Sequence, residues 1–365
     1  MIDTIAITLK PNEFWITDNT KFIPISSNNG FDKLAYNGSR KSDVYLPRLT
    51  PYKRGGSKLF LKIEFSAPKM LFGNNFDELN ETDFDSLVKI LAERLKIMGI
   101  GVFPSFLRTA DVSKIDFSKN IALSNYWKST MILNELKKID LTKRLDIQQN
   151  SFRNFGYILH FHCNSFEIAI YDKIKDMEQS KISEKRAFEK ESAIQLNLFD
   201  EIKKKQRPME VLRFEIRLVK RAKIKQLFKT LNITNDLTLE NMFSKKLSQQ
   251  VLNHYWEEIT SNMQLALIKD SDDFTVLEKI LESRKFRPIT ALALAMSVRV
   301  IKEEGADRFK RLLEKASSGK TFTKLKKDIL SLNLPKNVKA QGFEQVSNQL
   351  SSFEMLKISE YLDGT

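Results

Sequence analysis

Three short segments of the chain alternate apolar residues with charged ones, and this period of two constrains the fold more than any other feature. In residues 112–117, Ile115 and Phe117 alternate with Lys114 and Asp116. Because successive side chains of a β-strand point to opposite faces of its sheet, each segment predicts a strand with one apolar and one charged face. The sequence therefore predicts an antiparallel sheet with its apolar face on the core.

The other two alternating segments are residues 166–173 and 211–219. Opposite their apolar positions stand, in chain order, Glu167, Tyr171, Lys173, Arg213, Glu215 and Arg217. An antiparallel sheet with one solvated face gives this pattern whatever the protein does, so the alternation alone indicates no function.

The rest of the chain divides into a mixed first part and a helical second part. Residues 59–65 and 157–173 are typical of strands, the latter of a hairpin that turns near Asn164, and residues 84–98 and 126–143 are typical of helices. From about residue 222 the pattern is helical. We therefore expect an α+β fold, an antiparallel sheet flanked by helices over residues 1–235, followed by an all-helical C-terminal region over residues 236–365.

Composition restricts the class of protein. The 365 residues carry a formal net charge of +14, which indicates a polyanionic partner such as nucleic acid. A Lys-rich proteome would give the same surplus. The start of the chain lacks the pattern of a secretory signal, no apolar stretch is long enough to span a bilayer, and there is one cysteine. We expect a protein of the cytoplasm, without a membrane partner.

The groups on the charged faces suit one kind of chemistry. Cleavage of a phosphodiester by tyrosine needs a nucleophilic hydroxyl, cations that neutralise the developing charge, and a divalent ion held by oxygen ligands. Tyr171 supplies the nucleophilic hydroxyl, and Lys173 follows two residues later. Asp116, Glu215 and Glu64 are candidate ligands for Mg²⁺ or Mn²⁺. Arg213 and Arg217 are candidates to hold flanking phosphates of bound DNA.

At these residues the chain resembles the replication initiators of filamentous bacteriophages and, more distantly, the rolling-circle initiators of small plasmids. The segments that carry the resemblance are, in order, MIDTIAITL, GGSKLFLKIEFSAPKMLFGNN, VSKIDFS, EIAIYDKIKDMEQ and EVLRFEIRLVKR. The likeness covers residues 1 to about 230. The acidic strand reads Lys-Ile-Asp where the family commonly has Arg-Ile-Asp.

The resemblance implies a metal-dependent DNA nickase that starts rolling-circle replication at a phage or plasmid origin in a bacterial host. Tyr171 falls at the family's nucleophile, which would keep the 5′ end as a phosphotyrosine and leave a 3′-OH primer. Lys173 matches the family's adjacent lysine, and Asp116 and Glu215 match its metal-binding acids. The helical C-terminal region would bind DNA or host replication proteins such as a helicase or polymerase.

Two further features allow more than one interpretation. His160 and His162 share one strand face and form a His-hydrophobe-His pair. The pair is either a metal site or has a structural or DNA-facing role, and the second interpretation is favoured because so short a motif often occurs by chance. A basic run predicts a DNA-facing surface, or is merely solvated. It consists of Lys203, Lys204, Lys205 and Arg207, joined further on by Lys220 and Arg221. The alternative to an enzyme is a non-catalytic origin-binding protein, in which the sheet is only a scaffold.

Overall fold

A computed structural model gives the fold of most of the chain. It describes residues 1–25, 33–38, 44–53, 58–124, 127–136, 149–153, 157–180, 210–260, 272–304, 306–317, 320–335 and 339–357. The predicted basic positions Lys203, Lys204, Lys205 and Arg207 lie outside these residues.

The described strands and helices are numbered in chain order. The strands are β1 (Ile2–Leu9), β2 (Phe14–Ile16), β3 (Phe22–Ile25), β4 (Lys33–Tyr36), β5 (Arg48–Lys53), β6 (Leu59–Ser66), β7 (Ile100–Val102), β8 (Asp111–Ala122), β9 (Gln149–Arg153), β10 (Ile158–His162), β11 (Phe166–Asp172) and β12 (Val211–Leu218). The helices are α1 (Ala67–Phe72), α2 (Phe84–Ile97), α3 (Pro104–Thr109), α4 (Ser129–Leu136), α5 (Lys173–Ser180), α6 (Arg221–Thr230), α7 (Leu239–Met242), α8 (Lys245–Thr260), α9 (Asp273–Glu282), α10 (Pro288–Glu304), α11 (Ala306–Ala316), α12 (Lys320–Leu330) and α13 (Lys339–Ser352).

Ten of these strands form one antiparallel sheet in the order β3-β4-β5-β6-β1-β8-β12-β11-β10-β9. β2 and β7 form a separate antiparallel pair. The three alternating segments of the sequence lie side by side as β8, β12 and β11. The predicted α+β class with a large antiparallel sheet is confirmed.

The apolar face of the sheet is buried by helices from the second half of the chain. On α8, Trp256 packs its ring against Phe214 of β12, with 5.7 Å between ring centroids, and Tyr255 packs against Phe166 of β11 at the same distance. These contacts exist because the apolar positions of the strands recur every second residue and so form a continuous surface.

α13 lies beside α8 on this same core. The Trp256 indole N–H donates to Ser347 Oγ at 2.9 Å, and Gln249 Nε2 donates to the carbonyl of Leu350 at 3.3 Å, so the two helices run antiparallel. Phe343 and Phe353 are buried in the core of the sheet. This core thus contains residues on both sides of the predicted boundary at 235.

Helices α9 to α12 form a second hydrophobic cluster. Its buried residues include Val276, Leu294, Val298, Phe309 and Phe322. Along the sequence, this helical unit lies between α8 and α13, both of which pack on the sheet.

Candidate active site

The strand register brings the charged residues of β8, β11 and β12 onto one face. Residues paired across neighbouring antiparallel strands share a face of the sheet. The pairing sets three rows across these strands: Asn120, Arg213 and Tyr171; Ser118, Glu215 and Ala169; and Asp116, Arg217 and Glu167. The sequence-predicted Tyr171, Glu215, Arg213, Arg217 and Asp116 therefore lie together.

At the centre of this face, Tyr171 and Glu215 form a buried hydrogen bond. The Tyr171 hydroxyl donates to Glu215 Oε1 at 2.6 Å, and Tyr171 has only 6% of its surface exposed. Arg213 Nε donates to the same Oε1 at 2.5 Å, and Arg217 Nε donates to Oε2 at 2.9 Å. A carboxylate between two guanidinium groups thus holds the tyrosine hydroxyl in place.

The surroundings shift the pKa values of both partners. Burial alone would raise the pKa of Glu215, but the charges of Arg217 and Arg213 outweigh burial and hold it well below its usual range. Burial raises the pKa of Tyr171 well above 10, and the negative charge of Glu215 raises it further. At neutral pH the pair is therefore a neutral phenol and an ionised carboxylate.

Arg213 uses its donors within the protein. Besides Glu215, Nη1 donates to the carbonyl of Asn75 at 2.8 Å and to Asn120 Oδ1 at 3.0 Å, and Nη2 donates to Ser118 Oγ at 3.1 Å. An ion pair of 3.3 Å also joins Nη2 to Asp3. Arg213 is thus a buried cation that joins β12 to residues of β8 and β1. A phosphate could contact it only by displacing these partners.

Arg217 lies nearer the surface, with 29% of its side chain exposed. It also pairs with Glu167, whose Oε2 lies 3.3 Å from Nη1. Glu167 in turn contacts His160 Nδ1, so a chain of contacts runs from Glu215 through Arg217 and Glu167 to the histidine. Of the two arginines predicted to bind phosphate, Arg217 is the accessible one.

Asp116 carries an unsatisfied carboxylate oxygen. Its Oδ1 is buried without a hydrogen-bond partner among the residues that the structure describes, and its Oδ2 lies 3.8 Å from Lys114 Nζ. Burial raises the pKa of Asp116 to about 7, although Lys114 and Arg217 act in the opposite direction. Lys114 also binds the third predicted acid, since its Nζ lies 2.7 Å from Glu64 Oε1.

Lys173 is the second unsatisfied group. Its Nζ is buried, has no hydrogen-bond partner in the described part of the chain, and lies 5.8 Å from the centre of the Tyr171 ring. Burial lowers the pKa of Lys173 to about 7, and the nearby charge of Arg213 lowers it further. Buried unsatisfied groups with shifted pKa values are concentrated at functional sites.

The carboxylates do not form a ready metal site. Both oxygens of Glu215 are bound by arginine, Glu64 is bound by Lys114, and only Asp116 offers a free oxygen. Within the described ranges no three His, Cys, Asp or Glu side chains are grouped to hold an ion. The arrangement therefore does not fit Mg²⁺ or Mn²⁺, which need several oxygen ligands.

The histidines lie on the same face but one strand further out. The register pairs His160 with Ala169 and His162 with Glu167. His160 is engaged by Glu167, as above, so the described contacts give it a partner other than a metal.

Two of the predicted DNA-binding residues, Lys220 and Arg221, lie just beyond the C-terminal end of β12. Lys220 precedes α6, and Arg221 Nη2 donates to Asp111 Oδ1 at 2.9 Å. Lys10 Nζ lies 3.6 Å from the other oxygen of Asp111. Two cations thus surround one acid at the beginning of β8.

Sequence reasoning missed the residues that hold Arg213, namely Asp3, Ser118 and Asn120. Ser118 and Asn120 continue the charged side of the β8 alternation beyond Asp116, so the period of two contained the signal. A buried ion pair was also missed, in which Lys119 Nζ lies 2.5 Å from Glu78 Oε2. It lies on the apolar side of β8, where no pattern predicts a lysine.

Comparison with known proteins adds no identification: no family model, no curated protein and no solved structure matches this chain. Among the described helices, none combines the length and the apolar character needed to span a bilayer.

Proposed function

We propose that the chain is a DNA-nicking initiator of rolling-circle replication that cleaves one strand by attack of the Tyr171 hydroxyl on a phosphodiester. The observation that carries the proposal is the buried hydrogen bond of 2.6 Å from Tyr171 to Glu215, between Arg213 and Arg217. A hydroxyl held by a carboxylate beside cations is the arrangement of an oriented nucleophile near groups that stabilise negative charge.

In the proposed reaction the Tyr171 Oη–phosphorus bond forms as the bond from phosphorus to the 3′ oxygen breaks. The 5′ phosphate stays on the tyrosine, and the 3′ oxygen leaves as a hydroxyl after taking a proton from solvent. Glu215 orients the phenol but is a weak base because of its low pKa. Lys173 makes no hydrogen bond to the hydroxyl in this structure, so with its pKa of about 7 it accepts the phenol proton only after a rearrangement brings its amine within reach. Arg217 neutralises charge on the phosphorane.

The burial of Tyr171 sets a condition on this reaction. With 6% of its surface exposed, the tyrosine meets DNA only after a rearrangement that opens the charged face. The same burial favours the alternative function, a non-catalytic origin-binding protein in which Tyr171 and Glu215 only join β11 to β12.

Adduct formation separates the two functions. The protein is incubated with Mn²⁺ and a labelled pool of random-sequence single-stranded oligonucleotides, and a denaturing gel is read for protein-linked DNA. We expect an adduct with the natural chain and none with Tyr171→Phe. Tyr157→Phe, at a half-buried tyrosine just before β10, is the matched control and should keep the adduct. An adduct in the Tyr171 variant, or none in the natural chain, would contradict the proposal.

A further inference from the structure

Two exposed aromatic rings lie side by side at the small β2–β7 sheet, one on β2 and one directly after β7. Trp15 is 47% exposed and Phe103 is 58% exposed, with 5.3 Å between their ring centroids. Phe106 of α3, a partly buried residue that packs against the core, follows at 6.2 Å from Phe103. Large aromatic surfaces are normally buried, so neighbouring exposed rings indicate a binding surface.

The Trp15 ring lies directly against the backbone at Gly101. The register pairs Trp15 with Gly101, and a Cβ on Gly101 would stand 2.2 Å from Cε2 of the indole. Only a residue without a side chain lets the indole lie this close to the strand. The ring is thus fixed in position although it is half exposed, which reduces the ordering cost of a partner that stacks on it.

Lys21 lies beside these rings. A Cβ on Gly99 would stand 3.4 Å from Cδ of Lys21, so the lysine chain lies over the position two residues before the Trp15 contact. Lys21 Nζ donates to the carbonyl of Ile97 at 3.0 Å and lies 3.4 Å from Asp18 Oδ2, so a phosphate would have to replace the partly exposed Asp18 as its partner.

Further positive charge lies at the beginning of β8. Lys10 and Arg221 share the single charge of Asp111, and 59% and 39% of their side chains are exposed. This group of three carries one positive charge in excess. Flat rings with exposed cations on the same part of the chain fit an anionic polymer with flat bases.

We infer that Trp15 and Phe103 form a stacking platform for unpaired bases of single-stranded DNA. The partly buried Phe106 supports Phe103, and Lys21 contacts the backbone by exchanging Asp18 for a phosphate. Single strands are bound in this way, by aromatic faces for the bases and cations for the phosphates. Two observations together favour nucleic acid over a protein partner: the surface is built from rings rather than branched aliphatic groups, and the chain carries a charge of +14.

The choice of DNA as the ligand rests on the proposed function. The platform itself lies far from Tyr171. Phe106 belongs to the short helix α3 that directly precedes β8, and Lys10 pairs with Asp111 at the beginning of that strand, whereas Tyr171 shares its row with Asn120 near the other end. Nine residues of strand separate these ends, which is about 30 Å. A strand bound at both places must be long, so the platform acts on affinity for long single strands and not on the cleavage step itself.

Fluorescence tests the platform directly. The other two tryptophans, Trp127 and Trp256, are buried, so a stacked base quenches mainly Trp15. We expect oligothymidylate to quench the emission of the natural chain, and an abasic oligomer of equal length to quench it much less. Equal quenching by both oligomers, or none by oligothymidylate, would overturn the proposal.

Variants test which ring contributes. Trp15→Ala and Phe103→Ala should each raise the Kd for oligothymidylate about tenfold, and Trp15→Phe should recover part of the loss. Gly101→Ala should weaken binding although it removes no ring, because it displaces the indole. Phe274→Ala, at a phenylalanine of α9 that is 75% exposed, is the matched control and should leave Kd unchanged. Unchanged binding in both ring variants would overturn the platform.

The outcome is separable from that of the proposed function. Platform variants should still form the covalent adduct with short oligonucleotides that reach only Tyr171, and Tyr171→Phe should still show base-dependent quenching. Loss of the adduct in the platform variants, with unchanged Kd, would assign these rings to cleavage and overturn the inference.

Discussion

Asp116 and Arg217 face each other at the same register position of β8 and β12, yet the contacts of Arg217 go to Glu215 and Glu167. Asp116 Oδ1 is left without a hydrogen-bond partner in the described structure. An ionised carboxylate that is buried without a hydrogen-bond partner is unfavourable, so the protonated form of Asp116 is favoured and its pKa is raised to about 7. The candidate active site thus contains a proton that is lost near neutral pH.

The stability of the protein should reflect this proton. The folded pKa of about 7 lies above the ordinary 3.8, so the folded state holds the proton more tightly. The contribution of Asp116 to stability is therefore greatest below pH 4 and falls as the pH rises to 7, by about 4 kcal/mol as an upper bound. Asp116→Asn should gain stability relative to the natural chain between pH 5 and pH 8 in urea unfolding.

Asp111→Asn, on the same strand, is the control for this measurement. Burial of Asp111 is outweighed by Arg221 and Lys10, so its pKa is lowered. Its contribution is present above pH 4 and is lost as the pH falls through its folded pKa, and the Asn variant should be the less stable one at pH 8. A constant difference between the Asp116 variant and the natural chain from pH 5 to 8 would disprove the buried proton.

Added Mn²⁺ distinguishes the two metal hypotheses that the sequence raises. Because Asp116 is the one predicted acid with a free oxygen in the described structure, Mn²⁺ should leave Tm unchanged at pH 6 and at pH 8. An increase in Tm that is larger at pH 8 and is lost in Asp116→Asn would contradict this expectation and restore the carboxylate site, since a bound ion competes with the proton of Asp116. An increase that is lost in His160→Ala and His162→Ala alone would place the ion on the imidazoles and favour a later transition metal.

Glu215 and Tyr171 should differ sharply in their effect on folding. Glu215→Gln removes the one carboxylate that both arginines bind, which leaves Arg213 with Asp3 and Arg217 with Glu167, and it should lower the free energy of unfolding by about 3 kcal/mol. Tyr171→Phe removes one hydroxyl and should lower it by about 1 kcal/mol. Chemical denaturation compares the two. Similar losses would mean that the carboxylate is not the centre of the ion pairs.

The single-turnover rate of cleavage should have a rising limb in its pH profile that depends on Lys173. If its neutral amine accepts the phenol proton, the single-turnover rate should rise with pH through an apparent pKa near 7. Lys173→Met, similar in length but unable to titrate, should remove this limb. It should also stabilise the protein at pH 7, because the folded pKa lies below the ordinary 10.5 and a charged Lys173 opposes folding. Lys175→Met is the neighbouring control, and a limb that persists in the Lys173 variant would assign it to another group.

The basic run at Lys203, Lys204 and Lys205 is tested by salt. If these lysines contact the DNA backbone, the logarithm of affinity falls linearly with the logarithm of salt concentration, and replacing all three by Gln should make the slope shallower by about 2 units. The same replacement at the exposed Lys320, Lys324 and Lys327 of α12 removes equal charge and should leave the slope unchanged. Equal slopes in both triple variants would mean that the run is merely solvated.

Local pattern was enough to predict the strands that build the site. The alternation in residues 112–117, 166–173 and 211–219 predicted β8, β11 and β12, and helical spacing predicted α2 and the helices beyond residue 222. The prediction that Lys173 lies on the strand was wrong, because β11 ends at Asp172 and Lys173 begins α5. The same alternation predicts a face in contact with water, but Arg213 and Glu215 are buried on it. They tolerate burial because each neutralises the other, and that depends on a register between strands that no single segment encodes.

The position of α13 was also beyond local reasoning. Its spacing predicts a helix, but nothing in residues 339–352 indicates that Phe343 packs beside Trp256 rather than with the nearer α12. Contacts between residues far apart in sequence are set by the packing of whole elements, whereas periodicity reports only which face of one helix is apolar.

The return of α13 to the sheet also bears on how the chain matures on the ribosome. Met1 and Phe353 belong to the same core, so that core closes only after residue 353 has been made. At about 5–20 residues per second, the part of the apolar face that α13 covers stays open for about 5–20 s after α8 has been made. The α9–α12 unit draws its core from residues 276–334 and can close before α13 emerges. The unit made later can therefore fold ahead of the core that begins at Met1.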